Sequence, residues 1–167
     1  MQLFDEITKL VFSLIEKKRK SFNRMLPFGD YFIDRWEKAR LLGFGEGTSV
    51  YDNVVVIGDV EVGGNTWIGP NVVLDGGGKL TIGSNCSISA GVQIYSHDSV
   101  RWAVSGGTEP YEYAQTSIGS NCYIGPNTII SKGVTLGDGC IVGANSFVNR
   151  SFPDGSKIAG SPAKLIQ

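Results

Sequence analysis

Histidine is nearly missing from this chain: His97 is the only one in 167 residues. A zinc site built on several imidazoles is therefore excluded, and no metal is expected. Cysteine is scarce too, with three residues and no Cys-x-x-Cys pair, which argues against both a disulfide framework and a zinc ribbon. Charge of either sign is almost balanced at a net −1, so nothing in the composition calls for nucleic acid. Long hydrophobic runs are also missing. The N-terminus "MQLFDEITKLVFSLIEKKRK" carries Asp5, Glu6 and Lys9 within its apolar stretch, so it reads neither as a signal peptide nor as a membrane span, and a cytoplasmic location is expected.

What the chain has in excess is glycine, 23 residues, and a beat of six. From Val50 the units read "VYDNVV", "VIGDVE", "VGGNTW" and "IGPNVV". After the interruption "LDGGGKLT" come "IGSNCS", "ISAGVQ" and "IYSHDS". The beat stops there and resumes past residue 117 with "IGSNCY", "IGPNTI", "ISKGVT", "LGDGCI" and "VGANSF". Six residues turn an α-helix by about 240°, so this period cannot mark one helical face. It suits a short strand followed by a corner.

With the aliphatic residue as position one, position five holds Val60, Thr66, Val72, Cys86, Val92, Cys122, Thr128, Val134, Cys140 and Ser146. Positions five and one of the next unit lie two apart, so both face the same side of a strand, the core side. All three cysteines occupy this small inward position and are expected as core filler. Position four holds Asn53, Asp59, Asn65, Asn71, Asn85, Gly91, Asn121, Asn127, Gly133, Gly139 and Asn145, the residue types that best accept a left-handed backbone or a tight turn. Repeated corners coil the chain, and stacked coils pair each strand with those above and below. The pattern predicts an all-β solenoid, a parallel β-helix.

The first 47 residues differ. Leu3, Phe4, Ile7, Leu10, Val11, Leu14 and Ile15 form a helical stripe of about 18 residues, and a second amphipathic helix is expected around residues 31–44. We expect this segment, residues 1–47, to cap the first coil of a β-helix domain at 48–167. The run Lys17, Lys18, Arg19, Lys20 and Arg24 offers an anionic membrane surface as an alternative, but it matches ordinary complementarity to a helix C-terminus, so membrane contact is not expected.

His97 takes position four of "IYSHDS", so its ring should project from an edge. It opens an insertion at 97–117, "HDSVRWAVSGGTEPYEYAQTS", that contains no hexad and is rich in aromatic residues. Imidazole, with a free pKa of about 6.5, is suited to take a proton from an attacking hydroxyl or amine. Asp98 beside it is the candidate to fix the ring tautomer. Trp102, Tyr111 and Tyr113 could stack on a sugar, with Arg101 or Glu112 reading a polar group.

The "[IV]-G-x-N-x-x" hexads, the histidine before an insertion and the ending "IAGSPAK" (158–164) together resemble the hexapeptide-repeat acyltransferases, over residues 48–167. The resemblance implies a left-handed β-helix, a homotrimer with active sites between subunits, and acetyl-CoA as co-substrate. It implies that the pantetheine arm passes corners matching Gly125, Gly143 and Ala144 and that the nucleotide reaches the Ser161–Lys164 loop. Lys132, Arg150 and Lys164 are the cations available for its phosphates. Many relatives carry tryptophan where Tyr123 stands. A γ-type carbonic anhydrase is excluded by the lone histidine. The expected activity is acetyl transfer, directly within a ternary complex, to a sugar: a surface-polysaccharide precursor or a nucleotide-linked amino sugar. The alternative is a non-catalytic β-helix scaffold.

Overall fold

The computed structural model describes residues 2–167. From Ser49 the chain winds as a parallel solenoid whose coils present three sheet faces. On the first face the strands Ser49–Val50, Trp67–Ile68, Ser87–Ile88, Tyr123–Ile124, Ile141–Val142 and Lys157–Ala159 stack in that order. On the second, Val73 and Leu74 pair with Gln93 and Ile94, which pair with Ile129 and Ile130, and these with Phe147 and Val148. The third face runs from Leu80–Ile82 through Thr116–Ile118 to Thr135–Leu136.

The inward positions are as expected. Ile68, Leu74, Ile88, Ile94, Ile124, Ile130, Val142 and Val148 are fully buried and form one continuous core. Each such side chain contributes about 1.5–3 kcal/mol of transfer free energy. The three cysteines are buried in the same interior, and each thiol donates to a carbonyl of the next coil, from Cys86 Sγ to Gly119 O at 3.1 Å and from Cys122 Sγ to Gly137 O at 3.2 Å. The corners follow the pattern as well, with positive φ at Asn65, Asn71, Asn85, Asn121, Asn127 and Asn145 and at Gly91, Gly133 and Gly139.

Asn53, Asp59 and His97 depart from it and do not adopt positive φ. At Asp59 the cause is the interruption "LDGGGKLT". It forms part of a long strand, Val73–Ile82, paired with Val55–Val62, and the register shifts between Gly58 and Val60. Gly58 and Lys79 take the left-handed conformation there, so this corner is flattened into a continuous ribbon.

The N-terminal segment contains helix α1 (Gln2–Phe22), a 3₁₀ turn (Phe28–Tyr31) and a short helix α2 (Arg35–Leu41). Asp34 caps α2, its carboxylate accepting from Trp36 N and Glu37 N. The cap is narrower than expected: α2 covers the first coil, with Ala39 and Phe44 in the core cluster, and Lys38 Nζ donates to Tyr51 O. Helix α1 buries no residue, and Phe4 stays 73% exposed, so α1 does not seal the coil.

Candidate functional site

His97 and Asp98 form a short strand that pairs antiparallel with Glu112 and Tyr113, His97 opposite Tyr113 and Asp98 opposite Glu112. The insertion is thus a ribbon closing on a short helix, α3 (Val100–Val104), rather than an irregular loop. The His97 ring lies beside Tyr113 and Tyr111, with centroids 5.7 and 6.2 Å away, and Trp102 meets Tyr111 edge-on at 5.6 Å. Of the three aromatic residues expected at an acceptor site, two therefore flank the histidine and the third, Trp102, packs on one of them.

The carboxylate that holds the imidazole is Asp75, not Asp98. His97 Nδ1 lies 2.5 Å from Asp75 Oδ2, and the Asp75 side chain is 1% exposed against 30% for His97. Ser96 N and His97 N donate to Asp75 Oδ2, and Gly77 N donates to Oδ1. Burial pushes the Asp75 carboxyl up, but these N–H groups and the histidine outweigh it and hold it below its ordinary range. A carboxylate on Nδ1 sets the neutral tautomer with its proton there, leaving Nε2 as the acceptor.

Asp75 sits at the start of the glycine run in the interruption. Leu74 pairs with Ile94, so Asp75 lies one coil from Tyr95 and next to the His97 backbone. Glycine is required at 78, where an added Cβ would meet Ser96 O at 2.3 Å, while at 77 a Cβ would press on His97 Nδ1 and Asp75 Oδ1, each 3.1 Å away. The readable signal was an acidic residue one coil before the histidine, followed by three glycines; the sequence pattern treated it only as a break.

Asp98 instead accepts from Val100 N, at the start of α3, at 3.0 Å, and pairs with Lys132 Nζ at 2.6 Å. Lys132 also donates to Glu112 Oε2 at 3.0 Å, and Glu112 Oε1 pairs with Arg101 Nε at 2.9 Å. The hydrogen bond from Lys132, aided by that from Val100 N, holds Asp98 below the ordinary carboxylate range. Lys132, expected at a CoA phosphate, and Arg101 and Glu112, expected to read an acceptor, are thus paired with one another and with Asp98 in the chain alone.

A cavity of about 400 Å³ opens beside this cluster, lined by His97, Asp98, Ser99, Lys132, Ile129 and Phe147 among others. A larger hollow of about 550 Å³ lies under the cap at residues 34–48, and none of the expected site residues lines it. Gly125, Gly143 and Ala144 stack at one corner, since a Cβ on Gly125 would meet Ala144 N at 2.6 Å. The N–H groups of Gly125 and Gly143 donate to Val142 O and Ile158 O within the solenoid, so neither is available to a ligand. Arg150 lies over the Phe152 ring at 5.1 Å, Ser161 is exposed, and Lys164 pairs across from Ala159. These residues do not line the His97 cavity. Among the described residues, no group of three or more His, Cys, Asp or Glu side chains could hold a metal ion.

A family model for bacterial transferase hexapeptide, six repeats, matches residues 115–150. The putative colanic acid biosynthesis acetyltransferase WcaF of Escherichia coli (strain K12) is 31% identical over 143 residues, covering 80% of this chain and 75% of its own. The chain spans about half to three-fifths of the length of the first curated relatives it matches. Among solved structures, the hexapeptide-repeat acetyltransferase VCA0836 of Vibrio cholerae O1 biovar eltor, complexed with acetyl coenzyme A, is 26% identical. It superimposes with a TM-score of 0.71 over 97% of this chain and 88% of that one. AntD, an N-acyltransferase from Bacillus cereus in complex with dTDP and 3-hydroxybutyryl-CoA, is also 26% identical, with a TM-score of 0.68 over 74% of this chain and 70% of that one.

Proposed function

The chain belongs to the hexapeptide-repeat acetyltransferase family, and from that premise we propose that it transfers an acetyl group from acetyl-CoA to a sugar hydroxyl or amine, with His97 as general base. The observation that carries this reading is the buried Asp75 on Nδ1 of the lone histidine, beside an open cavity. In the reaction, Nε2 takes the proton as the acceptor oxygen or nitrogen attacks the thioester carbonyl. The tetrahedral intermediate collapses, the carbon–sulfur bond breaks, and the imidazolium returns its proton to the CoA thiolate. Asp75 keeps Nε2 unprotonated before attack and stabilises the imidazolium after it. Acetyl-CoA as donor follows the donor bound by VCA0836, and a sugar acceptor agrees with the pathway in the name of WcaF and with the dTDP held by AntD. Tyr111, Tyr113 and Trp102 supply flat apolar surface of the kind sugars stack on.

The working form in this reading is a homotrimer with sites between prisms. The outward rows of the first two faces are largely apolar, with Trp67, Tyr123 and Ile141 on one, beside Ser87 and Lys157, and Val55, Ile129 and Phe147 on the other, beside Gln93. The third face turns Glu61, Thr81, Ser117 and Thr135 outward. An assembly that covers two faces and leaves the third to water fits this asymmetry. The cavity beside His97 lies on the second face, through Ile129 and Phe147, where a neighbouring prism would close it.

The test is acetyl-CoA-dependent release of thiol across nucleotide sugars, amino sugars and simple glycosides. Background from Cys86, Cys122 and Cys140 is expected to be small because all three are buried. Release with one acceptor class supports the reading. No release with any acceptor, and no thermal stabilisation by CoA, contradicts it in favour of a scaffold.

A further inference from the structure

The ribbon that carries His97 has a built-in conflict. Asp98 and Glu112 stand directly opposite one another on its two strands, and like charges in that relation repel. Two residues a side is also far too little sheet to hold itself together. Lys132 resolves both problems. It enters from the next coil, in the turn after Ile129–Ile130, and its ammonium reaches Asp98 Oδ2 at 2.6 Å and Glu112 Oε2 at 3.0 Å. Arg101 takes the remaining Glu112 oxygen, so the four charges cancel. The turn is itself fixed, since Gly133 N donates to Thr116 Oγ1 at 3.1 Å. The neighbouring rung of the same ribbon is His97 opposite Tyr113.

From this arrangement we infer that Lys132 is a positioning residue: by gripping both strands at the Asp98–Glu112 rung, it holds the insertion so that Tyr111 and Tyr113 lie against the His97 ring and shape the acceptor side of the site. The inference rests on the reading of His97 as base, but part of its test does not. With both carboxylates already satisfied by its ammonium, Lys132 is not a donor-phosphate ligand, and its loss should affect acceptor and donor differently.

Because His97 is the only histidine, its ring C–H resonance can be followed alone by NMR in the full-length protein. In the parent, the stacked tyrosines should shift it upfield. Lys132→Met should move it back toward the position of free imidazole, and Lys132→Arg, which keeps the charge, should restore it. In kinetics, Lys132→Met should raise the acceptor KM about tenfold, with lower kcat, through misplacement of the site's walls, while the acetyl-CoA KM stays within about twofold. An unchanged resonance in Lys132→Met overturns the inference. So does a rise in acetyl-CoA KM with the acceptor KM unchanged, which would return Lys132 to the donor phosphates. If Lys132→Met does not fold, Lys132→Gln, which keeps a polar head but removes the charge that offsets the two carboxylates, is read in the same way. A parent that is inactive with every acceptor sinks the enzyme reading and, with it, the acceptor role, while the resonance still decides whether the grip exists.

Discussion

At the scale of single residues, the site depends on a carboxylate with little exposure and many donors. Asp75 is held below the ordinary carboxylate range in the fold, so it adds stability that is fully present above the pH at which an unfolded aspartate titrates, about 3.9, and that is lost as acid protonates it in the native state. Asp75→Asn should therefore be less stable than the parent at pH 7 by about 1–3 kcal/mol, and the gap should narrow progressively as the pH falls below about 4. Urea titrations of both proteins across this pH range check this. The same substitution should lower kcat at least about tenfold, because the imidazole loses the partner that sets its tautomer. Gly77→Ala separates geometry from stability. Its Cβ would press on His97 Nδ1 and Asp75 Oδ1 without entering the core, so turnover should fall about tenfold with little change in Tm. Asp75 was not legible in the sequence because its contact with His97 spans a coil and depends on how three glycines fold between them. Asp98 looked the better partner only because it is adjacent in the chain.

At the scale of the element, the hexad was legible for a simple reason: each position has one physical task repeated on every coil. Inward Ile124 or Val142 must be apolar because nothing else fills the prism, and Asn121 or Asn145 must tolerate positive φ because the corner demands it. Asn121→Ala should accordingly cost about 1 kcal/mol in chemical denaturation, with Asn121→Gly close to the parent. The rule failed at Asp59, where a neighbouring irregular segment pairs continuously and removes the corner, and at the N-terminus, where an amphipathic stripe predicted helix α1 correctly but not what it would pack against. The ribbon 97–98/112–113 was illegible because two-residue strands carry no periodic signal. It exists through charge contacts with another coil.

At the scale of the molecule, two largely apolar faces and one polar face argue for an assembly whose neighbours complete the site. Ile141→Asp, on the first face and outside the His97 cavity, should reduce the sedimenting species from three times the chain mass to the 17.9 kDa chain. It should also lower turnover with it; a trimer that persists, or a fully active monomer, contradicts shared sites. The central claim, however, is the base. It is tested most directly by comparing acetyl-CoA-dependent thiol release by the parent and by His97→Asn, with a responding acceptor and with circular dichroism to confirm the fold. His97 lies on the outer ribbon and not in the core, and Asp75 keeps its three backbone N–H donors without the imidazole, so the solenoid should hold while turnover falls about a hundredfold or more. Equal rates in the two proteins would contradict the account.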